Sequence, residues 1–318
     1  MKAKSILLLA VCVLANPAAV FVVQSPVMAQ STNVEPQSLV HGSSREEYEA
    51  RKAAAQGGTK HTPLTLPDWT GIWMRQTSIM ASFDTDAGPH PRLGTLGFIA
   101  YGASSAKLTP KYQADYDKKV EDILNGLEWD RVSDCLPAGM PRWLADPFRR
   151  EFIPTPDQTW MLYEQMQEIR RIYTDERGHI PGDQAIPLWE GDSIGFWDTD
   201  TLVIHTTHMK AGEYMRGQPN YSFKVSTVER WRKIDDSTME ANVTVYDPES
   251  LLEPYPATFT YRKVPPQLGM RIHYMSCVEG NNVVRLPDGT TDFLLPGDPG
   301  YRDPLTFGIP EVALDSMP

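Results

Sequence analysis

Two histidines and two glutamates lie in segments rich in β-branched and aromatic residues, which predict strands: His205, Glu229, His273 and Glu279. Alternate side chains of a strand share a face, so Glu229 is expected on the face of Trp231, and His273 on the face of Glu279. If these faces and that of His205 point into one barrel, two imidazoles and two carboxylates share a pocket. A histidine that titrates near neutral pH beside a carboxylate can transfer protons. These four are the candidate catalytic residues; the alternative is that they are solvent-facing strand residues.

The segment from Gly191 to Gly195 reads G-x-S-x-G, the pattern that presents the nucleophile of many serine hydrolases. That role needs a strand before Ser193 and a helix after it, because the sharp turn between them exposes the hydroxyl. The residues after Ser193 read IGFWDTDTLVI, which predicts strand, acidic turn and strand. We therefore expect Ser193 in a hairpin, and a serine hydrolase is the less favoured interpretation.

The chain contains 8 tryptophans and 13 tyrosines, which suits a site that stacks a flat apolar or aromatic ligand. Tyr163, Trp189 and Trp231 are the candidate aromatic contacts. Arg171 is the candidate partner for a carboxylate or phenolate, since a guanidinium binds such groups through a planar fork. An aromatic core and surface ion pairs would account for the same residues.

The sequence predicts neither a metal site nor a cofactor. His205 and His208 are three residues apart, and an odd spacing in a strand places their side chains on opposite faces. The sequence also lacks His-Glu-x-x-His, clustered cysteines and an acidic calcium loop.

The second half of the chain is dominated by predicted strands. Its segments include TWMLYEQMQEIRRIYTD, SIGFW, TLVIHTTHM, STVERWRKI, MEANVTVYD, ATFTYRKV and MRIHYMSCVE, several of them separated by short turns. Short connections imply an antiparallel meander, and closing such a sheet into a barrel removes its exposed edges. The predicted fold class is mainly β, a lipocalin-like antiparallel barrel with one or two peripheral helices.

Two segments predict helices. Ser44 with Glu47 forms a capping-box pattern before a helix that reaches Gln56, and Thr109-Pro110 opens a second helix that ends at Asn125. The first is expected to be a tether or a surface helix, because it has few apolar residues to bury. The predicted organisation is a signal peptide over 1–29, a polar tether with a short helix over 30–64, and one β-rich domain over 65–318.

The amino terminus resembles a secretory signal peptide. Lys2 and Lys4 precede an apolar run that Asn16-Pro17 interrupts, and a cleavage site follows at Ala29. We expect a periplasmic or secreted protein without a stable membrane anchor after cleavage. The formal net charge of -11 disfavours nucleic acid and anionic membranes as partners.

Cleavage would leave two cysteines, Cys135 and Cys277. An even pair in an oxidising compartment predicts one disulfide, and its span of 142 residues (277 − 135) would stabilise the fold by about 4–5 kcal/mol in the chain-entropy model. Two buried thiols are the alternative.

Several motifs resemble those of known proteins. The segment LPDWTGIW resembles the G-x-W opening of lipocalin-like barrels. In order, CLPAGMPR, GDSIGFWDTDTLVIHTT, VERWRKIDDSTM, VYDPES and SCVEGN resemble a family of exported proteins of Gram-negative bacteria, from Leu66 to Asn281. Many members carry an acidic residue where this chain has His205. The resemblance implies export and a β-rich fold, and it transfers no catalytic residue.

Three functions follow as expectations. The first is an exported barrel that binds a small apolar or aromatic ligand in a barrel pocket. The second is an acid–base enzyme on the same scaffold, a lyase, isomerase or hydratase that uses the histidines and glutamates. The third is a structural envelope protein with a filled barrel.

Overall fold

The computed structural model describes residues 42–128, 130–273, 282–287 and 291–302, which fall in one compact unit. The strands are β1 Ile72–Arg75, β2 Thr95–Leu96, β3 Ile99–Ala100, β4 Arg150–Pro154, β5 Gln158–Tyr163, β6 Ile169–Tyr173, β7 Asp192–Asp198, β8 Thr201–Thr207, β9 Gly212–Glu213, β10 Asn220–Tyr221, β11 Ser226–Asp235, β12 Thr238–Tyr246, β13 Tyr255–Lys263, β14 Val283–Arg285 and β15 Thr291–Phe293. The helices are α1 Ser44–Ala54, α2 Pro110–Leu124 and α3 Arg142–Ala145, with single 3₁₀ turns at Thr85–Ala87, Arg131–Asp134, Gln165–Gln167 and Pro266–Leu268. Within these ranges, no helix is long and apolar enough to cross a membrane.

Nine strands close into a barrel in the order β1, β13, β12, β11, β8, β7, β6, β5, β4 and back to β1. This confirms the predicted mainly β barrel. Every barrel pair is antiparallel except β6 with β7. These two strands run in the same direction because residues 174–191 return the chain to the end of the barrel at which β6 began.

The barrel closes through its first strand. β1, which follows the G-x-W glycine, pairs with both β4 and β13. The predicted strand MRIHYMSCVE does not take this place: residues 271–273 are not in a strand, and residues 274–279 lie outside the described ranges.

The barrel interior is filled with side chains. Large residues of the barrel strands and of α3 are buried there: Trp73, Phe152, Met161, Trp231, Tyr261 and Trp143. Three of their ring pairs meet edge to face, Trp143 with Trp231, Phe152 with Trp231, and Phe152 with Tyr261. The described barrel interior holds a packed core, and the two cavities of about 580 and 440 Å³ are lined by residues outside the barrel strands. Barrels of this size are commonly wide enough for side chains alone.

The buried Arg150 guanidinium lies in this core and makes no ion pair with a carboxylate of the described residues. It packs against the rings of Trp143, Tyr163 and Tyr261 at 4.8, 4.6 and 5.2 Å from their centroids. Its Nη1 donates to the Phe148 carbonyl at 2.7 Å. Rings and carbonyls thus replace the hydration of the charge, which holds the loop before β4 against the barrel.

Helix α1 covers the outer face of β7, β8 and β11. Tyr48 is buried there against Phe196 and His205. The helix begins one residue earlier than the expected capping box, because Ser43 is the N-cap and its Oγ accepts from the Glu46 amide at 3.3 Å. The hydroxyl of Ser44 is consequently not used as a cap.

One end of the barrel is covered by α2, α3 and their connecting segments. All four residues of α3 are buried, and the Leu144 carbonyl accepts from the Tyr261 hydroxyl at 2.8 Å. Helix α2 buries Tyr116, Val120 and Ile123. This covering layer, not the barrel interior, forms the cavity described next.

Candidate functional site

A cavity of about 580 Å³ lies among α2, the Arg131–Asp134 turn and the β9–β10 hairpin. We call it the mouth cavity. Every residue that lines it comes from outside the nine barrel strands: Lys111, Tyr112, Asp115, Lys119, Arg131, Leu136, Trp189, Ala211, Gly212, Glu213, Asn220 and Tyr221.

The mouth cavity contains a buried cation, Arg131, which is only 7 % exposed. Its guanidinium lies over the Trp189 ring, 5.5 Å from the centroid. Its Nη1 is buried and has no hydrogen-bond partner in the described part of the chain. Burial raises the pKa of the neighbouring Tyr221 to about 12 in spite of this positive charge.

The position of Arg131 depends on a glycine. A Cβ at Gly212 would overlap the Arg131 guanidinium, so any other residue there would displace the charged group. The small residue in β9 thus makes room for a cation in the cavity wall.

The other charges of the mouth cavity are largely paired. Lys119 Nζ contacts Glu213 Oε2 at 3.2 Å and Asn220 Oδ1 at 2.6 Å. Behind Glu213, Arg142 binds both Glu213 and Asp130, with Nη1–Oε1 and Nη1–Oδ1 distances of 2.8 and 2.7 Å. Acids surround Arg142 and raise its pKa well above the ordinary value despite burial. Lys111 lies 5.6 Å from the Tyr112 ring centroid, and Arg131 is the buried cation of the lining, with an Nη1 that no described residue accepts from.

A second cavity of about 440 Å³ lies on the other side of the Arg142–Asp130 pair. Its lining includes the apolar side chains of Met80, Phe98 and Met166. Its two arginines already have carboxylate partners, Arg142 with Asp130 and Arg216 with Glu128 at 2.8 Å. The Nε atoms of both arginines are also buried without a hydrogen-bond partner among the described residues, but each guanidinium charge is already balanced by a carboxylate.

The four ligand contacts expected from the sequence are dispersed. Trp189 lies in the wall of the mouth cavity. Tyr163 and Trp231 are buried in the barrel core. Arg171 lies on the outer, exposed face of β6, where it stacks 4.5 Å from the Trp160 ring.

His205 does not face the barrel interior, contrary to expectation. Its ring stacks on Tyr48 of α1 at 5.4 Å, on the outer face of β8. Its neighbour Thr206 points inward and contacts Glu229. The shared pocket of His205 and Glu229, on which the acid–base interpretation depended, is therefore not formed.

Glu229 lies at the centre of the barrel and is bound by Arg170. The guanidinium makes two contacts, Nη1–Oε2 at 2.8 Å and Nη2–Oε1 at 2.6 Å. The Trp231 indole adds a hydrogen bond of 2.9 Å, as the shared strand face predicted. Burial raises the pKa of Glu229, but Arg170 and the other donors outweigh it and leave the pKa below the ordinary value.

Ser193 is a residue of β7, in the β7–β8 hairpin predicted from the sequence. Its Oγ accepts from Arg170 Nε at 3.3 Å and lies 3.0 Å from Thr206 Oγ1. It is part of the polar network in the core.

Glu190 is a buried acid that the sequence analysis did not single out. Both carboxyl oxygens are buried and have no hydrogen-bond partner in the described ranges. Burial, followed by the nearby Glu168 carboxylate, raises the pKa of Glu190 well above the ordinary value. Glu168 is held by the amides of Ala138 and Gly139 at 2.7 and 3.0 Å. Burial and Glu168 therefore favour the protonated form of Glu190 at the barrel end.

The remaining predicted site residues lie near or beyond the limits of the described chain. His273 is exposed, and its backbone amide donates to Glu164 Oε1 at 3.1 Å. Glu279 and Cys277 lie outside the described residues, so a site with Glu279 and a bond from Cys135 to Cys277 stay predictions.

The described residues contain no group of three or more potential metal-ligating side chains. Trp189 was expected from the sequence, but the other residues of the mouth cavity were missed because they come from distant segments: Arg131, Gly212 and Tyr221 share no local pattern. The one signal was the tryptophan before the G-x-S-x-G segment. In comparisons with known proteins, no protein-family model matches the chain and no curated protein is significantly similar to it.

Proposed function

We propose that this protein binds a small aromatic or apolar molecule that carries an anionic group, such as a carboxylate, in the mouth cavity. The observation that carries the proposal is the buried Arg131 guanidinium, whose Nη1 is unpaired beside Trp189. A buried donor without an acceptor costs free energy. A ligand oxyanion that reaches it would form a charge-assisted hydrogen bond and remove that cost.

The size and walls of the mouth cavity suit a small ring compound. Its volume of about 580 Å³ lies in the ordinary range for small-molecule sites. Tyr112, Trp189 and Tyr221 supply aromatic walls, and Leu136 an aliphatic one. Offset-stacked or edge-to-face contacts between aromatic side chains and a ligand ring contribute binding free energy in addition to that of the buried apolar area.

The local charge also favours an anion. The lining contains Lys111, Lys119 and Arg131 against Asp115 and Glu213, a surplus of one positive charge on a chain whose formal net charge is -11. A neutral analogue of the same shape would leave the guanidinium unpaired, so the anionic group provides specificity as well as affinity.

We propose that this binding takes place outside the cytoplasm. The leader-like residues 1–29 and the resemblance to exported proteins support a periplasmic or secreted carrier. A carrier in that compartment would hold an aromatic acid after its entry or before its exit.

The test pairs each aromatic carboxylate with its uncharged amide. Benzoate, phenylacetate and cinnamate are titrated into the mature protein alongside benzamide, phenylacetamide and cinnamamide, and binding is followed by calorimetry. At least one carboxylate should bind more tightly than its amide. Arg131→Met should weaken that carboxylate about 10- to 100-fold, the loss expected for one charge-assisted bond, and leave the amide unchanged.

Arg171→Met is the matched control, since Arg171 is an arginine on the outer face of the barrel. It should bind carboxylates as the unaltered protein does. Equal binding of acids and amides, or a carboxylate affinity that survives Arg131→Met, would contradict the proposal. If no member of the set binds, the filled barrel would favour a structural role in the cell envelope.

A further inference from the structure

A network of polar side chains lies beneath α1, on the outer face of the β7–β8 hairpin, and none of its members lines the mouth cavity. Ser44 Oγ is 3.0 Å from His205 Nε2. His205 Nδ1 is 2.8 Å from His179 Nε2. His179 Nδ1 is 2.7 Å from Asp192 Oδ2. Four side chains from α1, β8, the β6–β7 connection and β7 are thus joined by three successive hydrogen bonds.

When both imidazoles are neutral, the donors and acceptors of these three hydrogen bonds can be assigned in one order. The hydrogen bond from His179 and the Ile180 amide, 2.9 Å from Oδ2, outweigh burial and lower the pKa of Asp192, so the ionised carboxylate accepts from His179 Nδ1–H. His179 Nε2 then accepts from His205 Nδ1–H. His205 Nε2 is left as the acceptor for the Ser44 hydroxyl, and the Ser226 hydroxyl, 2.8 Å from Ser44 Oγ, then donates to Ser44. A serine that donates to a neutral imidazole is in the arrangement that general base catalysis activates.

His179 can take the positive charge that burial disfavours on His205. Burial and the neighbouring His179 lower the pKa of His205 to about 3, so this imidazole is a poor place for a positive charge. As His205 Nε2 takes the serine proton, its Nδ1 proton can pass to His179 Nε2. The positive charge then rests on His179, beside the Asp192 carboxylate, where an opposite charge stabilises it.

Ser44 also has a suitable backbone position. It is the first residue of α1, which has 11 residues, and the cap role belongs to Ser43. The amides of Glu46 and Glu47 already donate to Ser43, so the amides of Ser44 and Arg45 are the ones that can stabilise an oxyanion at the Ser44 side chain.

We propose that Ser44 is a nucleophile that accepts small acyl groups from activated esters, with His205 as its general base. His179 and Asp192 are positioning residues that carry the displaced proton and its charge. The acid–base role expected for His205 is thereby relocated from the barrel interior to the covered outer face of β8.

With p-nitrophenyl acetate, the reaction transfers an acetyl group to Ser44. Ser44 Oγ forms a bond to the acetyl carbon, and the bond from that carbon to the p-nitrophenolate oxygen breaks with its electron pair. The serine proton enters the His205–His179 pair and p-nitrophenolate leaves as the anion. Water later cleaves the acetyl-serine ester to acetate, and the protons return to solvent.

The experiment treats the mature protein with p-nitrophenyl acetate and locates the acetyl group by peptide mass spectrometry. Acetylation should occur at Ser44 with release of one equivalent of p-nitrophenolate per chain in a burst. His205→Asn should slow it at least about 100-fold, the usual contribution of a general base. His61→Asn, at an exposed histidine, is the matched control and should leave the rate unchanged.

The pH profile separates relay from scaffold. The groups that face the histidine pair are Asp192 and His208 on the barrel and Arg45 and Tyr48 on α1. Asp192→Asn removes a negative charge that raises the pKa of His205, so the midpoint of the rate profile should shift to lower pH. Absence of acetyl from Ser44, or the same rate at Ser44 in folded His205→Asn, would show that the chain only fastens α1 to the barrel.

Discussion

Gly212 lies against the guanidinium of Arg131, and no side chain at residue 212 can coexist with the guanidinium in its observed position. The same backbone belongs to β9, whose pairing with β10 brings Glu213 and Tyr221 to the cavity wall. Cation, aromatic wall and supporting acid are therefore fixed by one short hairpin.

The first prediction concerns Gly212→Ala. The guanidinium is the flexible end of a long side chain, so the new methyl group should displace it without unfolding the protein. Aromatic carboxylates should bind at least about tenfold more weakly, since a displaced donor no longer reaches the ligand oxyanion. Calorimetric titration measures the loss, and thermal unfolding checks that the fold is retained.

Gly182→Ala is a suitable control for that change. No heavy atom lies within 4 Å of a Cβ at Gly182, so the added methyl group meets open space. Its binding should equal that of the unaltered protein. An unchanged carboxylate affinity in folded Gly212→Ala would separate Arg131 from the binding function.

The second prediction concerns the ion pair of Arg170 and Glu229, whose side chains are 1 % and 0 % exposed. Glu229→Gln leaves the guanidinium charge without its counter-charge in the core and should lower the free energy of unfolding by about 3–5 kcal/mol. The double variant Arg170→Met with Glu229→Gln should cost less than the sum of the single changes, because neither charge is then left alone.

Urea unfolding of the four proteins gives the coupling energy for this cycle. The control is Glu240→Gln, at the partly exposed Arg232–Glu240 pair between β11 and β12, where the N–O distance is 3.2 Å. That change should cost less than about 1 kcal/mol. Equal costs at the two pairs would mean that the core pair is hydrated.

The sequence predicted the barrel and parts of its interior, because alternation in β11 is visible where one face is apolar. Glu229 and Trp231 share a face as expected. In β8 the inward face could not be chosen correctly for His205. Helix α1 buries the outer face, so six of the seven strand residues are buried. Apolar and polar residues then do not alternate along β8, so the sequence does not show which face is inward. Helix α1 has too few apolar residues for the sequence to predict that it packs on the barrel.

The third prediction concerns Glu190, whose pKa lies well above the ordinary value because of burial and Glu168. The folded carboxyl holds its proton at a pH where the unfolded one has lost it, so folding takes up a proton in that window. Stability should therefore fall as pH rises from the ordinary pKa of 4.5 through the raised one. Glu190→Gln, which cannot ionise, should lack this contribution.

The measurement is the free energy of unfolding of both proteins from acid to alkaline pH. The free energy of unfolding of Glu190→Gln should increase relative to that of the unaltered protein as pH rises. This difference in free energy should level off above the pKa of Glu190 in the folded state. A difference that does not change with pH would mean that Glu190 is ionised in the fold and has a partner.

The last prediction links the two cysteines to ligand binding. Cys135 ends the turn that carries Arg131: its amide donates to the Val132 carbonyl at 3.1 Å, and the Leu136 amide donates to the Arg131 carbonyl at 3.2 Å. If Cys135 is bonded to Cys277, as the cysteine count predicts, the denatured but unreduced mature protein should contain no free thiol. Reduction should then loosen this turn and weaken carboxylate binding. The same reductant should have less effect on binding by the double variant Cys135→Ser, Cys277→Ser, which has no disulfide to reduce. Two free thiols, or binding that is indifferent to reduction, would leave the Arg131 turn to be held by its hydrogen bonds and packing alone.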